Sequence, residues 1–343
     1  MYIENKLLKK YISYWLIAMF WMISIMIIVG GITRLTDSGL SITQWQLFTG
    51  LLPPFNEIQW NNYFDLYKKI PEYKLQNNSM SLHEFKVIFW WEYIHRFLGR
   101  LTGIFYLIPL IFFSIKLGFK KSKNLYIIFL LISLQGFIGW YMVKSGLIDR
   151  IDVSHYRLSL HLVLAFIILS LIFWNYLKYK GINNSVEKIK NILPIIFILL
   201  LFLQITIGAF VAGMDAGKIY NSWPLMGKNY FPDDNSIINL FNISVFSNPS
   251  LVQFIHRNLA YLIFFLYLLI LIKVYKNKLY AFFKVTNILG LSLFLQIIFG
   301  IFTLLSDAHM IIASMHQISS IFLVSSSIYL LYLNSNTNLQ LSN

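Results

Sequence analysis

Long runs of apolar residues alternate with shorter polar stretches along this chain. Eight of these runs reach the length of about 20 residues that a helix needs to cross the hydrocarbon core of a bilayer. The third and fourth runs, and the seventh and eighth, are separated by short connections, which predicts two helical hairpins. We therefore predict an all-α integral membrane protein whose eight transmembrane helices lie near residues 11–32, 90–115, 124–144, 156–177, 191–213, 251–272, 281–304 and 309–332.

The composition agrees with a membrane protein. Hydrophobic residues make up 57% of the chain and charged residues 12%, whereas a soluble domain carries about 25% charged residues. The connections leave no room for a sizeable soluble domain. The longest of them, residues 33–89, is predicted to be an ordered outer loop with one short helix.

The net charge of +14 is distributed unevenly. Almost all of the excess lies at the N-terminus and in the loops after the second, fourth and sixth runs. This is the asymmetry of the positive-inside rule, so we predict a bacterial cell (inner) membrane protein with both termini in the cytoplasm and no nucleic-acid partner. The lysines concerned are Lys6, Lys9, Lys10, Lys116, Lys120, Lys121, Lys123, Lys178, Lys180, Lys188, Lys190, Lys273, Lys276, Lys278 and Lys284.

The chain contains an internal repeat. Residues 28–54 align without a gap with residues 206–232, and residues 92–96 align with residues 253–257. Each half has four helices, an even number, so both halves enter the membrane in the same sense. This predicts two four-helix bundles related as parallel repeats. The predicted halves are residues 1–180 and 181–343.

Four histidines lie inside predicted helices at similar depth, near the outer face. They are His95, His161, His256 and His316, one pair in each half. Ionisable residues inside a membrane are functional candidates by default. Zinc or copper would usually recruit a third or fourth ligand, whereas facing histidine pairs suit the two axial positions of heme iron. The chain has no cysteine, which excludes thiolate catalysis and iron–sulfur clusters.

The two halves differ beside these histidines. Glu92 lies three residues before His95, and its counterpart before His256 is Gln253, which cannot carry charge. A carboxyl at this depth suits proton transfer, although a salt bridge with a neighbouring arginine is the alternative. Three glutamines, each followed four residues later by glycine, are interpreted as helix-packing positions. They are Gln135, Gln204 and Gln296.

Arginines distinguish the halves further. Arg34 and Arg100 occur in the N-terminal half only, since the repeat aligns them with Ala212 and Tyr261. The repeat aligns Arg96 with Arg257, so both halves keep an arginine at this position. These two arginines are candidates to pair with heme propionates.

Several motifs resemble those of heme A synthases. They extend from about residue 15 to residue 332, so the resemblance covers nearly the whole chain. The absence of cysteine fits the branch that includes the mitochondrial enzymes. The motifs are GGITRLTDSGLSITQW with LLPP (30–54), EFKVIFWWEYIHRFLGRLTG (84–103), QGFIGWYMVKSGL (135–147), VSHYRLSLHL (153–162), GAFVAGMDAGKIYNSWPLM (208–226), QFIHR (253–257) and MHQ (315–317).

The resemblance implies an enzyme that oxidises a methyl group of heme O to a formyl group, through successive hydroxylations, to make heme A for cytochrome oxidase. It implies that His256 and His316 ligate a heme b, and that His95 and His161 hold heme O or heme A. Glu92 would be the carboxylate required at the substrate site. The implied partners are a heme O synthase, an unidentified electron acceptor and membrane lipid, and a homo-oligomer is left open.

Two other functions remain as alternatives. A di-heme cytochrome that only transfers electrons would hold two identical hemes and would not need Glu92. A transporter is disfavoured, because the ionisable groups cluster near the outer face and the helices show little interruption at the midplane.

Overall fold

The computed structural model describes residues 2–45, 49–182, 187–189 and 192–335, and within these ranges the chain is helical, with no β-strand. Lys190 and residue 191, the predicted start of the fifth span, lie outside them, as do residues 46–48 of the first motif. The α-helices are α1 (Tyr2–Leu35), α2 (Glu57–Tyr67), α3 (Pro71–Leu75), α4 (Leu82–Leu117), α5 (Phe119–Asp149), α6 (His155–Lys180), α7 (Ile192–Gly213), α8 (Pro249–Lys276), α9 (Tyr280–Leu305) and α10 (Met310–Asn334).

The prediction of eight spanning helices is confirmed. Eight helices of the described ranges, all except α2 and α3, are long and apolar enough to cross a membrane. The α4 helix starts at Leu82, eight residues before the predicted span, because its polar first turn is fixed by a capping box. In this box the Ser81 side chain accepts from the backbone N–H of Glu84, and the Glu84 carboxylate accepts from the backbone N–H of Ser81.

Residues 36–81 connect α1 to α4 and are called the first cap. Two α-helices, α2 and α3, and a 3₁₀ helix at Thr49–Leu51 form there, where one short helix was predicted. Their aromatic side chains pack against the start of α4 in one cluster, which accounts for the order of this long connection. The buried members of the cluster are Leu40, Ile42, Trp60, Phe64, Tyr67, Ile70, Phe85, Ile88 and Phe89.

Glu72 in α3 is a carboxyl inside the first cap, with 3% of its surface exposed. The Tyr67 hydroxyl donates to its Oε1 at 3.1 Å, and Asn77 donates to the Tyr67 hydroxyl at 2.8 Å. The Oε2 atom of Glu72 has no hydrogen-bond partner among the described residues. Burial raises the pKa of Glu72 to about 8, the Tyr67 hydrogen bond opposes this rise, and the Glu92 carboxylate adds to it.

We expect a Glu72→Gln variant to be more stable than the wild type at about pH 8.5, by at least about 2 kcal/mol. The folded-state pKa of Glu72 lies well above the ordinary value for a glutamate, so the folded state holds this proton more tightly than the unfolded chain. The free energy of unfolding of the wild type therefore decreases as the pH rises through this window and levels off above the folded-state pKa. The amide removes that dependence.

Thermal unfolding between about pH 5 and pH 9, followed by tryptophan fluorescence, measures this difference. Glu57→Gln is the control, because Glu57 is exposed in the first turn of α2 and should behave as the wild type. Identical pH dependence of Glu72→Gln and the wild type would contradict the prediction.

Residues 214–248 connect α7 to α8 and are called the second cap. The cap contains three 3₁₀ helices, at Ala216–Lys218, Ile237–Phe241 and Ile243–Ser247. The Asn248 side chain accepts from the backbone N–H of Leu251 and so starts α8.

The chain packs as two compact units, Met1–Phe20 with Leu169–Asn343, and Trp21–Ile168. The first of these units contains the contact between Phe20 of α1 and Phe173 of α6, whose ring centroids lie 5.2 Å apart. The predicted halves 1–180 and 181–343 describe the repeat in the sequence, and that division stays a prediction.

Candidate functional site

The four candidate histidines lie inside α4, α6, α8 and α10. His95 and His161 belong to the unit Trp21–Ile168, and His256 and His316 belong to the other unit. The remaining three histidines lie at helix ends. His83 is exposed in the first turn of α4, His155 begins α6, and His309 is the N-cap residue of α10.

The first pair faces each other. The ring centroids of His95 and His161 are 6.4 Å apart, with an angle of 69° between the rings. Two imidazoles that bind one metal ion from opposite sides, through bonds of about 2 Å, place their centroids roughly 6 Å apart. The spacing therefore fits axial ligation of one iron between the two rings.

Each ring of this pair packs against a glycine of a neighbouring helix. A Cβ atom added at Gly30 in α1 would lie 3.1 Å from Nε2 of His95, and one added at Gly139 in α5 would lie 2.9 Å from Cε1 of His161. A side chain at either position would push the imidazole out of place. These glycines therefore set how deeply the two rings can sit.

The second pair repeats this arrangement. A Cβ added at Gly208 in α7 would lie 2.9 Å from Cε1 of His256, and one at Gly300 in α9 would lie 2.9 Å from Cε1 of His316. Gly208 aligns with Gly30 in the sequence repeat, and Gly300 with Gly139. The repeat has therefore kept a histidine–glycine contact for all four candidate ligands.

The glutamines interpreted as packing positions do join helices, and they also contact the histidines. Gln135 donates to the backbone carbonyl of His161, and Gln204 donates to that of His256, both at 3.0 Å. Nε2 of Gln204 also lies 3.3 Å from Nε2 of His256. The spacing from each glutamine to its glycine was visible in the sequence, but it did not reveal this role.

Gln296 contacts the His316 ring with both its side chain and its backbone carbonyl. Its side-chain nitrogen lies 3.3 Å from each ring nitrogen of His316, and the backbone carbonyl of Gln296 lies 3.0 Å from Nδ1 of that ring. Ser319 donates to the Gln296 side-chain oxygen. This network fixes the His316 imidazole, as a positioned metal ligand requires.

Two features of the histidine sites fit a large ligand. Nδ1 of His161 and Nδ1 of His256 are buried and have no hydrogen-bond partner among the described residues, which leaves polar atoms for a ligand to satisfy. In α4, a Cβ added at Gly103 would meet nothing within 4 Å, and one at Gly99 only Met26 at 3.7 Å. Open space beside a histidine pair suits a flat macrocycle.

The described residues contain no cluster of three or more His, Asp or Glu side chains placed to hold a metal ion. The donor set is therefore two imidazoles per site. Heme iron needs no more than this from the protein, because the porphyrin supplies the other ligands. The residues present fit heme.

Glu92 is buried in α4, with 2% of its surface exposed. Its Oε2 accepts hydrogen bonds from the Ser41 hydroxyl and the backbone N–H of Ile42, both at 2.7 Å, and its Oε1 forms an ion pair with Arg96. The carboxylate therefore holds the first cap against α4. The salt bridge that the sequence left open is present, and its partner is Arg96.

Arg96 and Arg257 donate hydrogen bonds to equivalent backbone carbonyls in the two halves. Arg96 donates to the carbonyl oxygen of Ile42 and Arg257 to that of Tyr220, both at 2.9 Å. Ile42 and Tyr220 themselves align in the repeat. Each arginine therefore fixes the loop that follows the first helix of its half.

Glu92 and Gln253 occupy the same position of the repeat but differ in the hydrogen bonds that they form with the backbone. Glu92 accepts from a backbone N–H, whereas Gln253 donates to the carbonyl oxygens of Ala216 at 2.9 Å and Tyr220 at 3.3 Å. Both side chains are buried. Holding a loop therefore does not require a carboxylate, and only the N-terminal half has one.

The other two predicted arginines lie at the first cap. Arg34 forms an ion pair with Asp37 at 2.6 Å. Arg100 lines a small crevice together with Arg96, Tyr63 and Tyr93. The crevice is rich in hydrogen-bond donors, which suits an anionic group such as a carboxylate.

The chain is similar to known proteins over nearly its whole length. The family described as cytochrome oxidase assembly protein (COX15-CtaA) matches residues 13–328. A protein of Pelagibacter ubique (strain HTCC1062) named heme A synthase is 51% identical over 340 residues, 98% of this chain and 100% of the relative. Proteins of the same name from Rickettsia bellii (strain RML369-C) and Rickettsia prowazekii (strain Madrid E) are 44% and 42% identical, and cover 93% and 96% of this chain and 96% and 99% of their own. These matches confirm the resemblance found in the motifs.

Proposed function

The chain belongs to the cytochrome oxidase assembly protein family, and we propose that it is a heme A synthase, which oxidises the methyl group of heme O to the formyl group of heme A. One observation carries the proposal. Two histidine pairs, each packed on paired glycines, occupy matching positions in the two halves, yet the buried carboxylate Glu92 of one half is matched by the buried amide Gln253 in the other.

The C-terminal pair would hold a resident heme b. His256 and His316 would bind its iron, and Gln204 and Gln296 would position their rings. When bound, this heme supplies one-electron redox chemistry. The protein's part is to fix the imidazoles and to keep them away from water.

The N-terminal pair would hold the substrate, with His95 and His161 binding the iron of heme O and later of heme A. Glu92 lies one turn before His95 on the same helix, so we assign the catalytic carboxylate to this side. It would accept a proton as the methyl group is oxidised, and Arg96 and Ser41 would keep it oriented. The open surface at Gly99 and Gly103 would leave room for the ring.

Four arginines are proposed to contact heme propionates. Arg96 and Arg100 line the same crevice at the first cap, and Arg257 already donates to three backbone carbonyls of the second cap. A guanidinium group has five N–H donors, so it can hold a loop and still bind a carboxylate. The fourth is Arg34.

We propose the same cellular setting as the charge distribution predicts. The chain would lie in the bacterial inner membrane as two parallel four-helix repeats, residues 1–180 and 181–343, with both termini in the cytoplasm and the heme sites toward the outer face. A heme O synthase would supply the substrate, since heme O is too apolar to move freely through water. The oxidation of the methyl carbon also requires an electron acceptor, which stays unidentified, and a homo-oligomer is left open.

Heme extraction and chromatography test the function. Membranes that contain this chain and a source of heme O should yield heme A, and membranes with the heme O source alone should not. Heme b with unchanged heme O, in a preparation that retains its heme, would instead support a di-heme electron-transfer cytochrome.

We expect Gly208→Ala to disturb the resident heme, because the new Cβ would lie 2.9 Å from Cε1 of His256 and the ring must move. The visible spectrum of the purified protein should shift, and the heme content should fall. Gly136→Ala is the matched control, since a Cβ there meets nothing within 4 Å. Equal spectra and equal heme content in the two variants would show that the glycine contact does not set the ligand.

A further inference from the structure

Residues 235–249 of the second cap, called here the interface segment, expose large apolar side chains. The exposed fractions are 65% for Ile237, 74% for Ile238, 85% for Phe241 and 91% for Ile243. They follow one another within seven positions along two consecutive 3₁₀ helices. Contiguous apolar surface of this kind marks an interaction site rather than a water-facing loop.

Hydrogen bonds between side chains hold the interface segment in a defined conformation. The Asn235 side-chain oxygen accepts from the side-chain amide of Asn248 at 2.9 Å and from that of Asn239 at 3.3 Å. Next to it, Ser250 donates to Asp234 at 2.6 Å. Three asparagines therefore tie the segment together from within, while the apolar side chains point outward.

The charge pattern favours lipid over a soluble partner. The interface segment contains no charged residue, and none follows it until Arg257. The first cap also exposes apolar side chains, for example Ile58 at 74%, but Glu57, Asp65 and Lys68 are interspersed there. Charged residues oppose insertion among acyl chains, whereas asparagine and serine are tolerated at the headgroup level.

The position of the interface segment beside α8 also favours lipid as its partner. It runs directly into α8, and the apolar span of that helix begins at Pro249. The chain therefore reaches the boundary between headgroups and acyl chains where the segment ends. A segment that lies at this boundary inserts its apolar side chains about 5–10 Å into the bilayer.

We propose that the interface segment lies in the membrane surface, with Ile237, Ile238, Phe241 and Ile243 inserted among the lipid acyl chains. The asparagine network stays at the headgroup level and keeps the apolar side chains directed into the bilayer. The segment thereby anchors the second cap beside the start of α8, the helix that carries His256. This anchor does not depend on the reaction that the protein catalyses.

Site-directed spin labelling tests the anchor, and the chain is suited to it because it has no native cysteine. Ile243→Cys and Phe241→Cys would each carry one nitroxide in the full-length protein, reconstituted in phosphatidylcholine and phosphatidylglycerol vesicles. Collisions with oxygen, which concentrates in lipid, are compared with collisions with nickel ethylenediaminediacetate, which stays in water. Lys228→Cys is the control, because Lys228 is an exposed, charged position of the same cap.

We expect the ratio of oxygen to nickel collisions to be severalfold higher at positions 241 and 243 than at position 228. Ratios equal to the control would place the segment in water and overturn the proposal. Low accessibility to both reagents, with dipolar broadening between labels, would show a contact between two copies of the chain and would also overturn it. Since both side chains are exposed, neither substitution should prevent folding, and far-UV circular dichroism checks this.

Discussion

A Glu92→Gln variant is expected to lose heme A formation by at least about 100-fold, the range typical for loss of a proton-transferring group, while it retains the resident heme. The carboxylate is buried at 2% exposure beside the first histidine pair, and Gln253 occupies the equivalent position in the other half without harm to the fold. The amide keeps an oxygen for the N–H of Ile42 but cannot take up a proton. Heme extraction measures the product, and the visible spectrum measures the resident heme.

Ser41→Ala separates the chemistry of this carboxylate from its role in holding the first cap. The change removes the hydrogen bond of the Ser41 hydroxyl to the carboxylate at 2.7 Å, together with its longer contact to the backbone carbonyl of Ile88 at 3.4 Å. It leaves both the carboxylate and its ion pair with Arg96. We expect Ser41→Ala to stay active. If Ser41→Ala is as inactive as Glu92→Gln, the position of the loop is what matters, and if Glu92→Gln makes normal heme A, the carboxylate has no catalytic role.

Replacing His256 or His316 with methionine should eliminate the spectrum of a bis-histidine heme b. Methionine would either bind the iron in place of the imidazole, which would raise the reduction potential of the heme, or fail to reach the iron, in which case heme would be lost. The rings are held by Gln204 and Gln296, and no third histidine, aspartate or glutamate of the described residues is grouped with them to replace a lost imidazole. Reduced-minus-oxidised difference spectra and heme content of the purified protein measure the effect.

Two further variants make this experiment specific. His309→Met should leave the spectrum unchanged, because His309 is exposed at the N-cap of α10. His95→Met should keep the resident heme and lose the product, since His95 pairs with His161 in the other unit. An unchanged spectrum in both His256→Met and His316→Met would refute the ligand assignment.

The spanning helices could be predicted from the sequence because the cause is local. A run of about 20 apolar residues leaves no state other than a helix that satisfies its backbone inside a bilayer. The repeat likewise identified four histidines, since a duplicated position keeps its depth in the membrane. The boundaries were less accurate, because the capping box at Ser81 extends α4 beyond its apolar run.

The sequence by itself determined the membrane class, the family motifs and the residues that differ between the halves, of which Glu92 and Gln253 are the clearest case. Only the tertiary structure decided what those residues touch. That Glu92 accepts from Ser41, and that Glu72 is buried against Tyr67, depends on how the first cap folds over the helix ends. Ser41 and Glu92 are 51 positions apart in the sequence, and Tyr67 and Glu72, although near each other in sequence, are buried only through the packing of the first cap. Local hydrophobic patterns carry no information about this packing.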